Sequence, residues 1–270
     1  MVEISGKYKI GTRRFGSINW IGAWTLYKKE VLRFLIVWIQ TLFSPLITSL
    51  LFLSVLSLAI GNDRGDVLGV PFIVFLAPGL IAMQIIQQAF SHSSSSFMIG
   101  KIQGNIVDLL YAPLSAGEVT LAVTLASVTR SVLIAAISLL VFYLFIDLEI
   151  KNFMTLIAFT LLSAFSLGAL GIIAGLWAEK FDHMATVTNF IIIPLSFLSG
   201  TFYSIERLPE VLQIISKANP FFYMIDGFRY SFLGQSDGSI FFGLVYLSIL
   251  SLLMWFIAYI LYKKGYKLKS

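Results

Sequence analysis

The sequence predicts an all-α integral membrane protein. It should have six transmembrane helices, an N-terminal interfacial amphipathic helix, a cytoplasmic amphipathic helix between spans two and three, and short outer re-entrant helices. Three observations predict it. The 270 residues are 58% hydrophobic and 12% charged, with a mean hydropathy of +0.89, whereas a soluble domain carries about 25% charged residues. Apolar runs of about 20 residues, the length that crosses a bilayer, recur along the chain. Lys and Arg gather at the two ends of the chain, beside apolar runs, rather than spreading over a surface.

Residues 17–33 come first. At 100° per residue Trp20, Trp24, Tyr27 and Val31 share a stripe, with Lys29 and Arg33 on the other side. Tryptophan and tyrosine favour the headgroup region, so this stretch reads as a helix lying along the membrane surface. The spans follow at 34–60, 71–91, 119–146, 153–177, 185–203 and 240–262. The first is far longer than a signal-peptide core, so it is expected to stay as an anchor. Pro45 and Pro194 lie inside the first and fifth spans and predict kinks.

The loops 61–70 and 147–151 are short and carry Arg64 and Lys151 beside acidic residues. Lys7, Lys9, Arg13, Arg14, Lys28, Lys29 and Arg33 precede the first span, and Lys263, Lys264, Lys267 and Lys269 follow the last. This asymmetry puts both termini in the cytoplasm and requires an even number of spans. It also accounts for the net charge of +5 without invoking nucleic acid. No polar stretch is long enough for a soluble second domain, so residues 1–270 form one transmembrane domain.

Two segments do not cross. In 97–118, on the inner side, Met98, Ile102, Ile106 and Leu109 share a helical face, with Lys101 and Asp108 off it. Pro113 and Gly117 then break the pattern. The segment 203–239 mixes apolar helical pieces, each too short to span, with Pro209, Pro220 and Gly227. Such pieces can dip into the outer leaflet and return if protein covers their backbone. Phe221, Phe222, Tyr223, Phe228, Tyr230 and Phe232 crowd here, either as an interfacial belt or as a stacking surface for a ligand.

Signs of catalysis are scarce. The two histidines, His92 and His183, are far apart and fit no metal-binding spacing, so no metal site is expected. Asp182-His183 reads as a solvated inner turn. There is no cysteine for a disulfide or thiolate site. A nucleotide loop needs glycines followed by Lys and Ser/Thr, and GKYKIGTR (6–13) has Thr12 where the lysine belongs. Ion-driven carriers place charge at mid-membrane. Here Arg130, about a dozen residues into the third span, is the exception among spans nearly free of charge. It is the one foothold for an ion-coupled carrier or channel, the alternative function.

The segment LSGTFYSIERLP…ANPFFYMIDGFRYSFLG (198–234) is similar to the C-terminal signature of ABC-2 type transporter permeases. The shared elements are Ser199-Gly200, Phe202-Tyr203, Leu208-Pro209, Asn219-Pro220 and Asp226 to Arg229. LLYAPLSAGEV (109–119) resembles that family's coupling region, and WIQTLFSPLITSLLF (38–52) and FLAPGLIAMQ (75–84) resemble its first two spans. The resemblance covers nearly the whole chain and is strongest to the YadH/NodJ-like permeases of bacterial inner membranes. Ser204 stands where many members have proline. The resemblance implies a permease that exports cargo from the cell, pairs with a second copy, and takes force from two separate cytoplasmic ATPase subunits. ATP and Mg would bind those partners and no cofactor this chain. It further implies that 97–115 is a coupling helix, with Ile102, Ile106, Asp108, Leu109 and Pro113 meeting the ATPase. Ser199, Gly200, Tyr203, Pro209, Asn219, Pro220, Asp226 and Arg229 would form the outer gate. Phe202, Phe222, Tyr223 and Arg130 are candidates for the substrate path.

Overall fold

The computed structural model describes residues 18–60 and 65–268. The glycine-spaced segment 6–13, the basic residues up to Arg14, and Arg64 lie outside the described residues. The first helix, α1 (Trp20–Ile36), is capped by the Asn19 side chain, which accepts from the Gly22 amide. α2 (Ser44–Ile60), α3 (Phe72–Ile102), α4 (Ile106–Tyr111) and α5 (Ala116–Tyr143) follow. α6 (Phe153–Trp177), α7 (Phe181–Val187), α8 (Ile193–Leu198), α9 (Glu210–Ala218), α10 (Pro220–Leu233) and α11 (Ile240–Lys263) complete the chain. Six stretches are long and apolar enough to cross a membrane: Ile39–Ala59, Phe72–Ile102, Ala116–Tyr143, Phe153–Trp177, Phe181–Leu198 and Ile240–Lys263. No β-strand occurs among the described residues.

The two expected kinks share one cause. A π-helical turn, Ile39–Phe43, runs into Pro45, and another, Thr188–Ile192, runs into Pro194. Proline has no N–H for the carbonyl four residues back, so the turn before it widens. Side-chain hydroxyls add bonds to main-chain carbonyls nearby: Thr41 Oγ1 donates to Phe34 O at 2.9 Å and Ser196 Oγ to Ile192 O at 2.6 Å.

α3 and α6 form the centre, mostly buried, while α2 and the α7–α8 span bury few of their residues. The contact between α3 and α6 is close because α6 presents glycines to it. A Cβ on Gly171 would lie 2.5 Å from Phe90 O, and one on Gly175 2.7 Å from Ser94 O. Small residues bring backbones together where lipid supplies no hydrophobic driving force between helices. α10 packs against α3, α6 and α11, and its 14 residues measure about 21 Å.

Two expectations change. Segment 97–115 is not one helix: α3 continues to Ile102, Gly104 turns with φ +78°, and α4 is a separate six-residue helix. A left-handed residue cannot continue a right-handed helix, so the shared face drawn through the break does not exist. The crowded aromatics are neither belt nor open surface: Phe221, Phe222, Phe228 and Phe232 are buried, and Tyr223 and Tyr230 half-buried. On α1, Trp20 and Trp24 face outward, while Leu26, Glu30 and Phe34 form the buried side.

Candidate functional site

The described ends of the chain and α4 meet at one end of the bundle. Asn19 N–H donates to Glu118 Oε1 at 2.6 Å, and Asn19 Nδ2 to Pro113 O at 3.2 Å. Glu118 Oε2 accepts from Ser115 N at 2.6 Å in a capping box that starts α5. One carboxylate therefore joins the starts of α1 and α5, and Asn19 holds the chain leaving α4. On the other flank Lys101 Nζ donates to Leu176 O at 2.8 Å and to Ala178 O, closing the C-terminus of α6.

Lys267 Nζ meets Glu179 Oε1 at 2.7 Å, tying the tail to the α6–α7 turn. The hydrogen bond and charge of Lys267 hold the exposed Glu179 carboxyl below its usual range. Between these pieces lies a cleft of about 960 Å³ lined by Lys101, Ile102, Ile106, Leu110, Tyr111 and Lys267, among others. Of the expected coupling residues, Ile102, Asp108 and Pro113 are exposed, Leu109 is half-buried and Ile106 is buried. The apolar side chains that α4 offers outward are Val107, Leu110 and Tyr111, which the interrupted periodicity had concealed.

At the opposite end the signature residues converge on main-chain groups. Arg229, 1% exposed, donates to Gly200 O at 2.7 Å and Thr201 O at 3.2 Å. Its guanidinium lies 3.9 Å from the centre of the Phe75 ring. Asp226 accepts from the amides of Asp237 and Gly238 at 3.0 and 2.9 Å. Asp237 in turn accepts from Ser204 Oγ and Ile205 N. Asn219 caps α10 through Phe221 N, and its Nδ2 reaches Leu195 O and Ser199 Oγ at 2.9 and 2.7 Å.

Pro220 is the first residue of α10 and Pro209 precedes α9, the positions where a missing N–H does least harm. Tyr203 Oη donates to Phe197 O at 3.1 Å. Phe202 stacks on Phe197 with centroids 5.1 Å apart. Phe222 is interior, packed edge-on to Tyr223. The structure thus brings Ser199, Gly200, Asn219, Asp226 and Arg229 into one hydrogen-bonded loop support. Lys151, read in the sequence only as a loop cation, caps α10 by donating to Leu233 O at 2.8 Å.

A third polar group lies in the bundle, and sequence reasoning named Arg33, His92 and Arg130 without joining them. Arg130 donates to Gln88 Oε1. On the same side of α3, Arg33 Nη2 donates to His92 O at 3.0 Å and Nη1 to Ser95 Oγ at 3.2 Å, while its Nε meets Glu30 Oε2 at 3.0 Å. His92 Nε2 is 3.8 Å from that same carboxylate oxygen. The spacing 88, 92, 95 on the second span, and Glu30 and Arg33 one turn apart on α1, were the available signals. The Asp182-His183 pair stays apart from all of this. His183 lies on Trp177, and its Nδ1 accepts from the Glu179 amide.

Comparison with known proteins gives the family. The family model described as ABC-2 type transporter matches residues 22–233. The chain is 33% identical over 220 residues to the inner membrane transport permease YadH of Escherichia coli (strain K12), covering 82% of this chain and 86% of that protein. It is 26% identical over 227 residues to nodulation protein J of Rhizobium leguminosarum bv. trifolii, covering 82% and 83%. Nodulation protein J of Neorhizobium galegae is 23% identical over 221 residues, with 82% and 83% covered. With a matching family model over most of its length, this multi-pass membrane chain belongs to the ABC-2 type transporter family.

Proposed function

We propose that the chain is the permease subunit of an ABC exporter in a bacterial inner membrane. A second copy pairs with it, and two separate ATPase subunits dock at the α4 end, which faces the cytoplasm together with both termini. ATP and Mg act in those subunits, and cargo leaves toward the other face. The observation that carries this reading is α4 itself. It offers Val107, Leu110 and Tyr111 outward, while Asn19 and Glu118 fasten its exit to the starts of α1 and α5. Force applied there reaches two helices at once. α2 and the α7–α8 span leave Leu51, Leu58 and Phe190 exposed, apolar surface that either lipid or the second copy covers.

Co-purification tests the proposal. Val107→Asp combined with Leu110→Asp is expected to abolish retention of a co-expressed ABC ATPase while leaving membrane insertion intact. Ile106→Asp, by contrast, would bury a charge and report on folding. Retention of the ATPase by the double variant, or solute transport by the chain without an ATPase, overturns the reading. The Glu30, Arg33, His92 and Arg130 group favours a second reading, an ion-coupled carrier. Transport in proteoliposomes that collapses with the proton gradient and ignores ATP decides for it.

A further inference from the structure

One side of α3 is polar at a depth where lipid offers no hydrogen bonds. From about halfway along this spanning helix, Gln87, Gln88, Ser91, Ser94 and Ser95 line a cavity of about 300 Å³ that faces the α7–α8 span. Some of these groups are spent within the chain. Ser95 Oγ donates to His92 O and accepts from Arg33, Ser94 Oγ donates to Ser91 O, and the Gln88 oxygen accepts from Arg130. The Gln87 amide and the Ser91 hydroxyl make no hydrogen bond among the described residues, and the Gln88 amide nitrogen is likewise unused. Polar groups left unmatched inside a bilayer cost free energy, so this wall calls for a polar occupant.

The lining also sets the chemistry of that occupant. No charged side chain belongs to it, so an ionic group of either sign would sit there without a counter-charge. The unused groups are of both kinds. The two amide nitrogens donate, the Gln87 oxygen and Ser94 Oγ accept, and Ser91 Oγ does either. A neutral hydroxyl answers both kinds at once. Opposite, Phe181, Met184, Ala185 and Ile192 make the wall mainly apolar. The volume lies at the lower end of the range for small-ligand pockets, about 300–1,000 Å³, which suits a group the size of one sugar ring. We propose that this cavity binds the uncharged, polyhydroxylated head of an amphiphile, with the apolar part of the ligand against the α7–α8 wall. Taking that ligand as cargo rests on the permease reading above, whereas binding is measured without an ATPase, so the two fail separately.

Native mass spectrometry of the full chain in phosphatidylcholine nanodiscs tests it. The probes are glucosyl-diacylglycerol, diacylglycerol and phosphatidic acid with the same acyl chains. The wild type is expected to retain the glucosyl lipid about tenfold more tightly than either of the others. Gln87→Leu combined with Ser91→Ala should lose that preference with thermal stability unchanged or raised, because each substitution removes an unmatched polar group. Ala185→Trp fills the cavity from the apolar wall, leaves every polar group in place, and should lose the preference as well. Equal retention of the glucosyl lipid and diacylglycerol by the wild type, the result for a cavity that holds only water, overturns the proposal. So does a preference for phosphatidic acid, or a preference that survives in both variants. A wild-type dimer that retains no glucosyl lipid would show a second copy filling the cavity instead, and overturns it too.

Discussion

Gly79→Ala probes the signature loop without touching a signature residue. A Cβ at Gly79 would stand 2.7 Å from Arg229 Nη2 and 2.7 Å from Thr201 O. The guanidinium cannot swing aside freely, because Gly200 O, Thr201 O and the Phe75 ring hold it. The Thr201 carbonyl is main chain and moves only with its loop. Overpacking of this kind costs about 1–3 kcal/mol. Loss of one hydrogen bond from a charged group adds about 1.5–3 kcal/mol, and alanine in a helix returns about 0.8–1.0 kcal/mol. The expected net destabilisation is about 2 kcal/mol or more.

Gly117→Ala is the internal control. Its Cβ would meet only Tyr259, at 3.8 Å, so it should be neutral or stabilising by up to about 1 kcal/mol. Reversible unfolding in mixed micelles compares the two variants under one denaturant series. Stabilities within about 0.5 kcal/mol of each other, a spread typical of harmless substitutions, would refute the view that Arg229 locks the loop.

Gly171→Val forces the α3–α6 backbones apart at Phe90 O and is expected to cost at least as much as Gly79→Ala in the same unfolding assay. Asn19→Ala removes the α1 cap and the bond to Pro113 O. It should cost about 1 kcal/mol and speed amide exchange in both α1 and α4, whereas exchange confined to α1 would show that the two are not joined. The Glu179–Lys267 tether titrates with a definite sign. The folded carboxyl is held below its ordinary value, so the tether is fully present at neutral pH. It is lost as pH falls through that lowered value. Limited proteolysis of the tail across an acid series checks this, and Glu179→Gln should be cut at every pH.

The six crossings were legible because hydropathy over about 20 residues is a bulk property, insensitive to any one contact. Span four came out at its observed bounds, 153–177. Span five began four residues early, at Phe181, because the polar residues of α7 masked its first turns. The break at Gly104 was not legible, since one positive φ leaves no trace in an apolar periodicity that resumes at Ile106. The partners of Asp226 and Arg229 were hidden for a different reason. Three apart on a helix, they suggest an ion pair, yet each serves main-chain groups of a loop distant in sequence. The Arg130 group was missed because its members sit on three helices, and only packing could show which faces meet.

α3 joins these observations physically. Its 31 residues make a rod of about 47 Å. Phe75 and Gly79 at one end fit the Arg229 guanidinium. Gln84 grips the kinked entry of α2 through Pro45 O and Ser49. Gln88, His92 and Ser95 receive the arginines of α5 and α1. At the far end Lys101 is fastened to the close of α6, one turn before the Gly104 bend that leads into α4. α3 thus reaches both polar ends of the bundle, fastened to α6 at Lys101 and carrying Phe75 under the Arg229 guanidinium at the other end. Pro78, between Phe75 and Gly79, leaves one main-chain hydrogen bond of the helix unmade, so at this turn the Arg229 contacts do part of the bracing that the helix ladder does elsewhere.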